Sequence, residues 1–179
     1  MTEIRWFDDD DSTATRILKA TTTVLGRRGR TGLNLSEVAA QAGVSRPTLY
    51  RLFSSKDKLL DALGRHERQV VHEAVRAALA GTAGAERVDA LLRFIADFTK
   101  SYPLRHLIEI EPSHELGELT RVMPVVREWV RDVLGDAEDS DVIAGAVVRV
   151  ALCHYLVPGD DDDQFYKQLR RIVDNSPQP

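Results

Sequence analysis

The run SRPTLYR, residues 45–51, gathers hydrogen-bond donors at helical spacing: Arg46, Thr48, Tyr50 and Arg51 remain for an outward face, while Leu49, Leu52 and Phe53 read as apolar anchors. A guanidinium is a permanent cation with donors in a planar fork, and a hydroxyl is a short donor that turns to suit its acceptor. Such a face recognises anionic or acceptor-rich partners. No catalytic residue, metal ligand or cofactor site is assigned in the chain. Further cations surround this face. From Ser12 to Leu60 the basic residues are Arg16, Lys19, Arg27, Arg28, Arg30, Arg46, Arg51, Lys56 and Lys58, against Glu37 and Asp57 alone. The full chain carries a formal net charge of −4, so the basic residues form a lobe on an acidic body, which confines attraction for phosphate to one surface.

Two short helices are needed to present these donors. Asn34 caps the first, with Glu37 three residues on to close a capping box, and Leu35, Val38 and Ala39 form its apolar side. Gly43 supplies a positive-φ stop, Ser45 is the next cap, and Pro47 falls in the first turn of the second helix, where its missing N–H has no intrahelical role. This is the layout of a helix-turn-helix, whose second helix enters the major groove of DNA.

From Thr15 to Leu63 the chain resembles the DNA-binding domain of the tetracycline-repressor (TetR) family of bacterial regulators. The resemblance rests on the leading helix TRILKATTTVL, the VAAQAGVS turn, the TLYRLF helix and the SSKDKLL entry to a fourth helix. It implies that the amino-terminal half of the recognition helix lies nearest the bases. Arg46 is then the candidate for a base edge, since its fork matches guanine O6 and N7. Ser45, Thr48 and Tyr50 are candidates for phosphate, the Tyr50 ring packing on the small core while its hydroxyl reaches out, and Arg51 suits either task. Lys56 adds a cation at the start of the fourth helix. Arg30, Asn34 and Pro47 complete the DNA-contacting set. The resemblance also implies a body with a small-molecule pocket, and a homodimer whose last two helices pair with their twins on a double-stranded DNA operator.

The rest of the chain reads as all-α, about nine helices in total, with residues 1–55 as the helix-turn-helix domain and 56–179 as a helical effector-binding and dimerisation domain. Residues 1–11, with the acidic run Asp8 to Asp11, read as a solvated tail. Helical periodicity runs from about Ser12 to Arg27, from Lys56 to about Leu79, from about Ala85 to Ser101, from Leu104 to about Glu111, from Glu115 to Leu134 and from Ser140 to Val157, with a last helix after Asp163. Pro112 is expected to end one helix, and Pro124 to start or kink another. No apolar run is long enough for a membrane span and no leader is present, which with the lone Cys153, read as a core residue, suits a reducing cytoplasm.

In the body, Phe94, Phe98, Tyr102, His106, Ile110, Met123, Val126, Trp129 and Arg149 are the candidate ligand-lining residues; the apolar ones serve equally well to fill a solid core. Arg149 interrupts an otherwise apolar helix, so a carboxylate from Glu109, Glu111 or a second subunit is expected to answer it, ahead of a ligand. That helix is apolar nearly all round and needs cover on both sides. Val142, Ala146, Val150, His154, Phe165, Leu169 and Ile172 are therefore the candidate dimer interface. Glu111 and His114 form E-x-x-H, the spacing of di-iron bundles, with Pro112 interrupting it and no second pair. A helix-turn-helix regulator without a small-molecule effector and a helical-bundle metal enzyme are the alternatives.

Overall fold

The computed structural model describes residues 4–7, 12–136, 139–157, 159 and 161–174. The positions read as a tail at 1–3 and 8–11, the break at Pro158, the cap at Asp160 and the closing 175–179 lie outside these. Among the described residues every regular element is helical: α1 Thr13–Arg28, α2 Leu35–Ala42, α3 Arg46–Leu52, α4 Lys56–Leu79, α5 Gly84–Ser101, α6 Leu107–Ile110, α7 Pro112–Leu134, α8 Ser140–Leu156 and α9 Asp162–Asp174. None of these helices is long and apolar enough to cross a membrane.

Two compact units emerge. One comprises residues 4–73 together with 103–112; the other holds 74–102 and the described residues from Ser113 onward. The division falls inside α4, and the short α6 segment returns to the amino-terminal unit.

In the amino-terminal unit α1 buries one stripe, Ile17, Leu18, Thr21, Val24 and Leu25, against α2. Thr21 is tolerated there because its hydroxyl donates to the Ile17 carbonyl at 2.7 Å. Ser12 caps the helix, its Oγ accepting from the Thr15 amide at 3.2 Å. Val38, Ala39, Leu49, Leu59 and Leu63 complete the core, and the fully buried Leu49 contributes about 1.5–3 kcal/mol by leaving water. Residues 4–7 are not a free tail. Ile4 is buried, the Trp6 carbonyl lies 2.8 Å from His66 Nε2, and the Phe7 ring stacks on His66 at 5.0 Å.

The carboxy-terminal unit is built on α5, α8 and α9, which pack pairwise around Leu91, Leu92, Ile95, Val147, Phe165 and Leu169. Their α5–α9 seam is polar. The Tyr166 hydroxyl donates to Asp89, Arg93 Nε donates to the same carboxylate at 2.8 Å, and the Arg93 guanidinium lies 4.3 Å over the Tyr166 ring. Burial alone would raise the Asp89 pKa, but these bonds and the charges of Arg93 and Arg170 outweigh it and hold the carboxyl below its ordinary value. Burial, then the bond to Asp89 and its charge, push the Tyr166 phenol up.

Several expectations are corrected here. Helix α6 stops at Ile110 just before Pro112, as expected, but Pro112 also starts α7, ahead of the expected Glu115, which suits a residue without an N–H; Pro124 lies inside α7. Among the described residues helix α8 is covered on one side only: Val142 is 70% exposed, Val157 just past its end is 69% exposed, and Cys153 is exposed rather than in the core. Arg149, also exposed, turns back to its own helix and donates to the Gly145 carbonyl at 3.0 Å, while Glu109 and Glu111 belong to the amino-terminal unit. Phe165 and Leu169, expected between subunits, are fully buried in the core of a single chain.

Candidate nucleic-acid interface

The turn between α2 and α3 is fixed by local chemistry. Asn34 Oδ1 accepts from the Ser36 amide at 2.8 Å and caps α2, while Glu37 does not close the capping box and lies 3.7 Å from Arg28 Nε. Gly43 has φ 64° and ψ 36°, a conformation cheap only without a Cβ, and its amide bonds back to the Ala40 carbonyl at 3.1 Å. A contact that sequence reasoning missed closes the same helix end. Arg16, on α1, donates to the carbonyls of Ala42 at 2.7 Å and Gly43 at 3.2 Å. A cation at a helix carboxyl terminus satisfies orphan acceptors and the dipole together.

Ser45 then starts α3, its Oγ accepting from the Thr48 amide at 3.2 Å and lying 2.8 Å from Thr48 Oγ1. Both hydroxyls are thus engaged in the cap, and between them they retain one proton for an outside acceptor. Arg46 and Pro47 are exposed at the first turn, with the Arg46 guanidinium resting on Ser36 Oγ of α2. Tyr50 is 51% exposed and Leu52 43% exposed, so the Tyr50 ring is largely open rather than packed and Leu52 is no core anchor. Arg51 is exposed beside them. The structure therefore gathers Ser36, Ser45, Arg46, Pro47, Thr48, Tyr50 and Arg51 on one open face, and among the described residues no carboxylate is bonded to either arginine.

The loop between α1 and α2 carries the remaining candidates. Lys56 Nζ donates to the Thr31 carbonyl at 3.2 Å, and Arg30 is half-buried, its Nε without a partner among the described residues. Glu111 accepts from the amides of Arg30 at 2.7 Å and Thr31 at 2.8 Å, and His106 Nε2 lies 2.7 Å from the Gly26 carbonyl.

The expected ligand-lining residues are distributed over both units. His106 and Ile110 belong to the amino-terminal unit. Phe94, Phe98 and Tyr102 stack in a row with centroids 6.2 and 5.6 Å apart, and Tyr155 continues it at 6.4 Å. A concavity of about 660 Å³ is lined by Val150, Gln164, Lys167, Gln168, Arg171 and Ile172; another, of about 480 Å³, includes Trp6, Phe7, Lys19, Arg27 and His106. Nor does E-x-x-H converge: Glu111 is held by backbone amides, and His114 Nε2 lies 3.8 Å from Glu118. Among the described residues no group of three or more His, Cys, Asp or Glu is arranged to hold a metal ion.

Residues 17–63 match the family model of bacterial regulatory proteins, tetR family. A stretch of 78 residues, 43% of this chain, is 38% identical to the HTH-type transcriptional repressor KstR of Mycolicibacterium smegmatis, and it spans 38% of that repressor's length. Among solved structures, a TetR-like transcriptional regulator from Rhodococcus sp. RHA1 is similar with a TM-score of 0.69 at 21% identity, over 90% of this chain and 93% of that one. The fatty acid degradation regulator FadR from Bacillus halodurans is similar at 0.69 and 15% identity, over 93% and 96%. At these identities the two structures attest the fold.

Proposed function

We propose that the chain is a transcription regulator of the tetR family, whose model residues 17–63 match, and that it acts as a homodimeric repressor, released from a palindromic operator by a small apolar or amphipathic molecule. The observation that carries this is the open donor face at the start of α3, with Arg46 and Arg51 exposed and met by no carboxylate among the described residues. Arg46 reads a base edge, Arg51 and Tyr50 reach base or phosphate, and Lys56 and Arg30 hold the backbone. Work on the chromosome places the protein in the cytoplasm. The body from α4 onward supplies dimerisation and effector response; the exposed side of α8 supports the first of these. The alternative, a regulator without an effector, is supported by the aromatic row Phe94, Phe98, Tyr102 and Tyr155, which packs ring on ring as a solid core does.

Selection from a random duplex pool, followed by fluorescence anisotropy, tests the central claim. The enriched sequence is expected to be an inverted repeat, bound at least a thousandfold more tightly than unrelated duplex. Equal affinity for the two overturns the assignment. Thermal shift against apolar and amphipathic acids separates the effector readings, since a ligand that binds only the native state raises its midpoint.

A further inference from the structure

We propose that Glu111 is a positioning residue for DNA binding, its carboxylate holding the α1–α2 loop in the shape from which Lys56 reaches the duplex. This deepens the function given above and rests on it.

A loop leaving a helix carries amides that regular structure does not satisfy. Here those of Arg30 and Thr31 both point at one carboxylate, at 2.7 and 2.8 Å, the lengths of charge-assisted bonds. The opposite side of the same residue is also held, because the Thr31 carbonyl accepts from Lys56 Nζ at 3.2 Å. Thr31 is thus clasped between an anion and a cation, and the cation is the one assigned to phosphate. Lys56 has three N–H donors, so one spent on the loop leaves two for DNA.

The fit admits little beyond these atoms. A Cβ on Gly29, at φ +68°, would come within 2.9 Å of the Glu111 carboxyl carbon. One on Gly26 would come within 3.0 Å of His106 Nε2, which itself lies 2.7 Å from the Gly26 carbonyl. Segment 103–112 is therefore seated on the end of α1 at two points, His106 on Gly26 and Glu111 on the loop. Without the carboxylate the loop loses the tie that sets the Thr31 carbonyl, and Lys56 loses its rest.

The test is Glu111→Gln, which keeps one acceptor oxygen but turns an NH₂ toward the other amide. Affinity is measured by anisotropy between 50 and 300 mM salt, on a duplex selected by the wild type and on an unrelated duplex of the same length. Removing a surface acid would by simple electrostatics tighten DNA binding. The positioning role gives the reverse: weaker binding to both duplexes and a log–log salt slope shallower by about 0.9, one phosphate contact. Lys56→Ala alone should remove the same amount, and should remove nothing further in the Glu111→Gln background. A Glu111→Gln protein with an unchanged slope, or one in which Lys56→Ala still takes its full toll, overturns the proposal while leaving the regulatory function standing. Wild-type protein that binds neither duplex ends both. If the variant fails to fold, amide exchange in the wild type decides: protected Arg30 and Thr31 amides support the clasp, and exchange at open-loop rates refutes it.

Discussion

Arg46 and Lys56 are both cations, yet their settings assign them different work. Arg46 stands exposed at the first turn of α3, where the proposed function has its guanidinium fork meet a base edge, while Lys56 is tied through Thr31 to the α1–α2 loop and takes the phosphate role in that proposal. Arg46→Ala is expected to cost about 1–3 kcal/mol on the selected operator and much less on unrelated duplex. Lys56→Ala should weaken both alike. Anisotropy on the two duplexes reads the difference, and equal losses for Arg46→Ala would remove it from the base-contact set. The outward disposition of Arg46 and Arg51 could be read from sequence because helical spacing and the neighbouring Leu49 fix the phase of α3. The role of Arg16 could not: its acceptors are two carbonyls far along the chain, and no side-chain pattern marks a carbonyl. Glu111 escaped for the same reason, since a carboxylate bound to amides resembles any surface acid, and its spacing to His114 suggested a metal instead.

Between α5 and α9 the fold relies on polar side chains that periodicity does not reveal. Apolar spacing identified Leu91, Leu92, Phe165 and Leu169, but Asp89 and Tyr166 show as ordinary surface residues until the two helices meet. The Asp89 pKa is depressed in the folded protein, so its contribution is fully present above about pH 4, the unfolded value, and is lost as pH falls through the lower folded value. The Tyr166 pKa is raised, so its share persists at neutral pH and is lost only as pH climbs past about 10. Tyr166→Phe deletes the bond. At pH 7 it should cost about 1 kcal/mol in urea unfolding, a value reduced from that of a buried charged bond because the Asp89 side chain is 32% exposed. The gap between wild type and variant should narrow as pH is lowered from 4 toward 2.5. A gap of constant size over that range would show that the hydroxyl stabilises α9 by some route other than the ionised carboxylate.

Two reading heads are required because one helix-turn-helix covers too few base pairs for tight, selective binding. In the proposed dimer they are joined through an apolar surface that the described helices leave uncovered, and the outer side of α8 is the candidate, with Val142 70% exposed and Val150 and Ile172 half-buried. The all-round apolar composition of α8 announced that both sides need cover. It could not say which side the chain covers itself, because a helix with almost no polar face has no phase to read, and so Phe165 and Leu169 were placed outside when they belong within. Val142→Glu separates the two requirements. The site is open in the single chain, so the charge is solvated there and urea stability of the monomer should change by less than about 0.5 kcal/mol. Buried against a second copy, the same carboxylate has no partner and costs several kcal/mol per interface. Light scattering is therefore expected to show wild-type dimers and variant monomers at micromolar concentration. Operator affinity should fall toward that of unrelated duplex, because the second head no longer binds at the high local concentration set by the first. A Val142→Glu protein that remains dimeric and grips its operator as before would move the subunit interface off this side of α8.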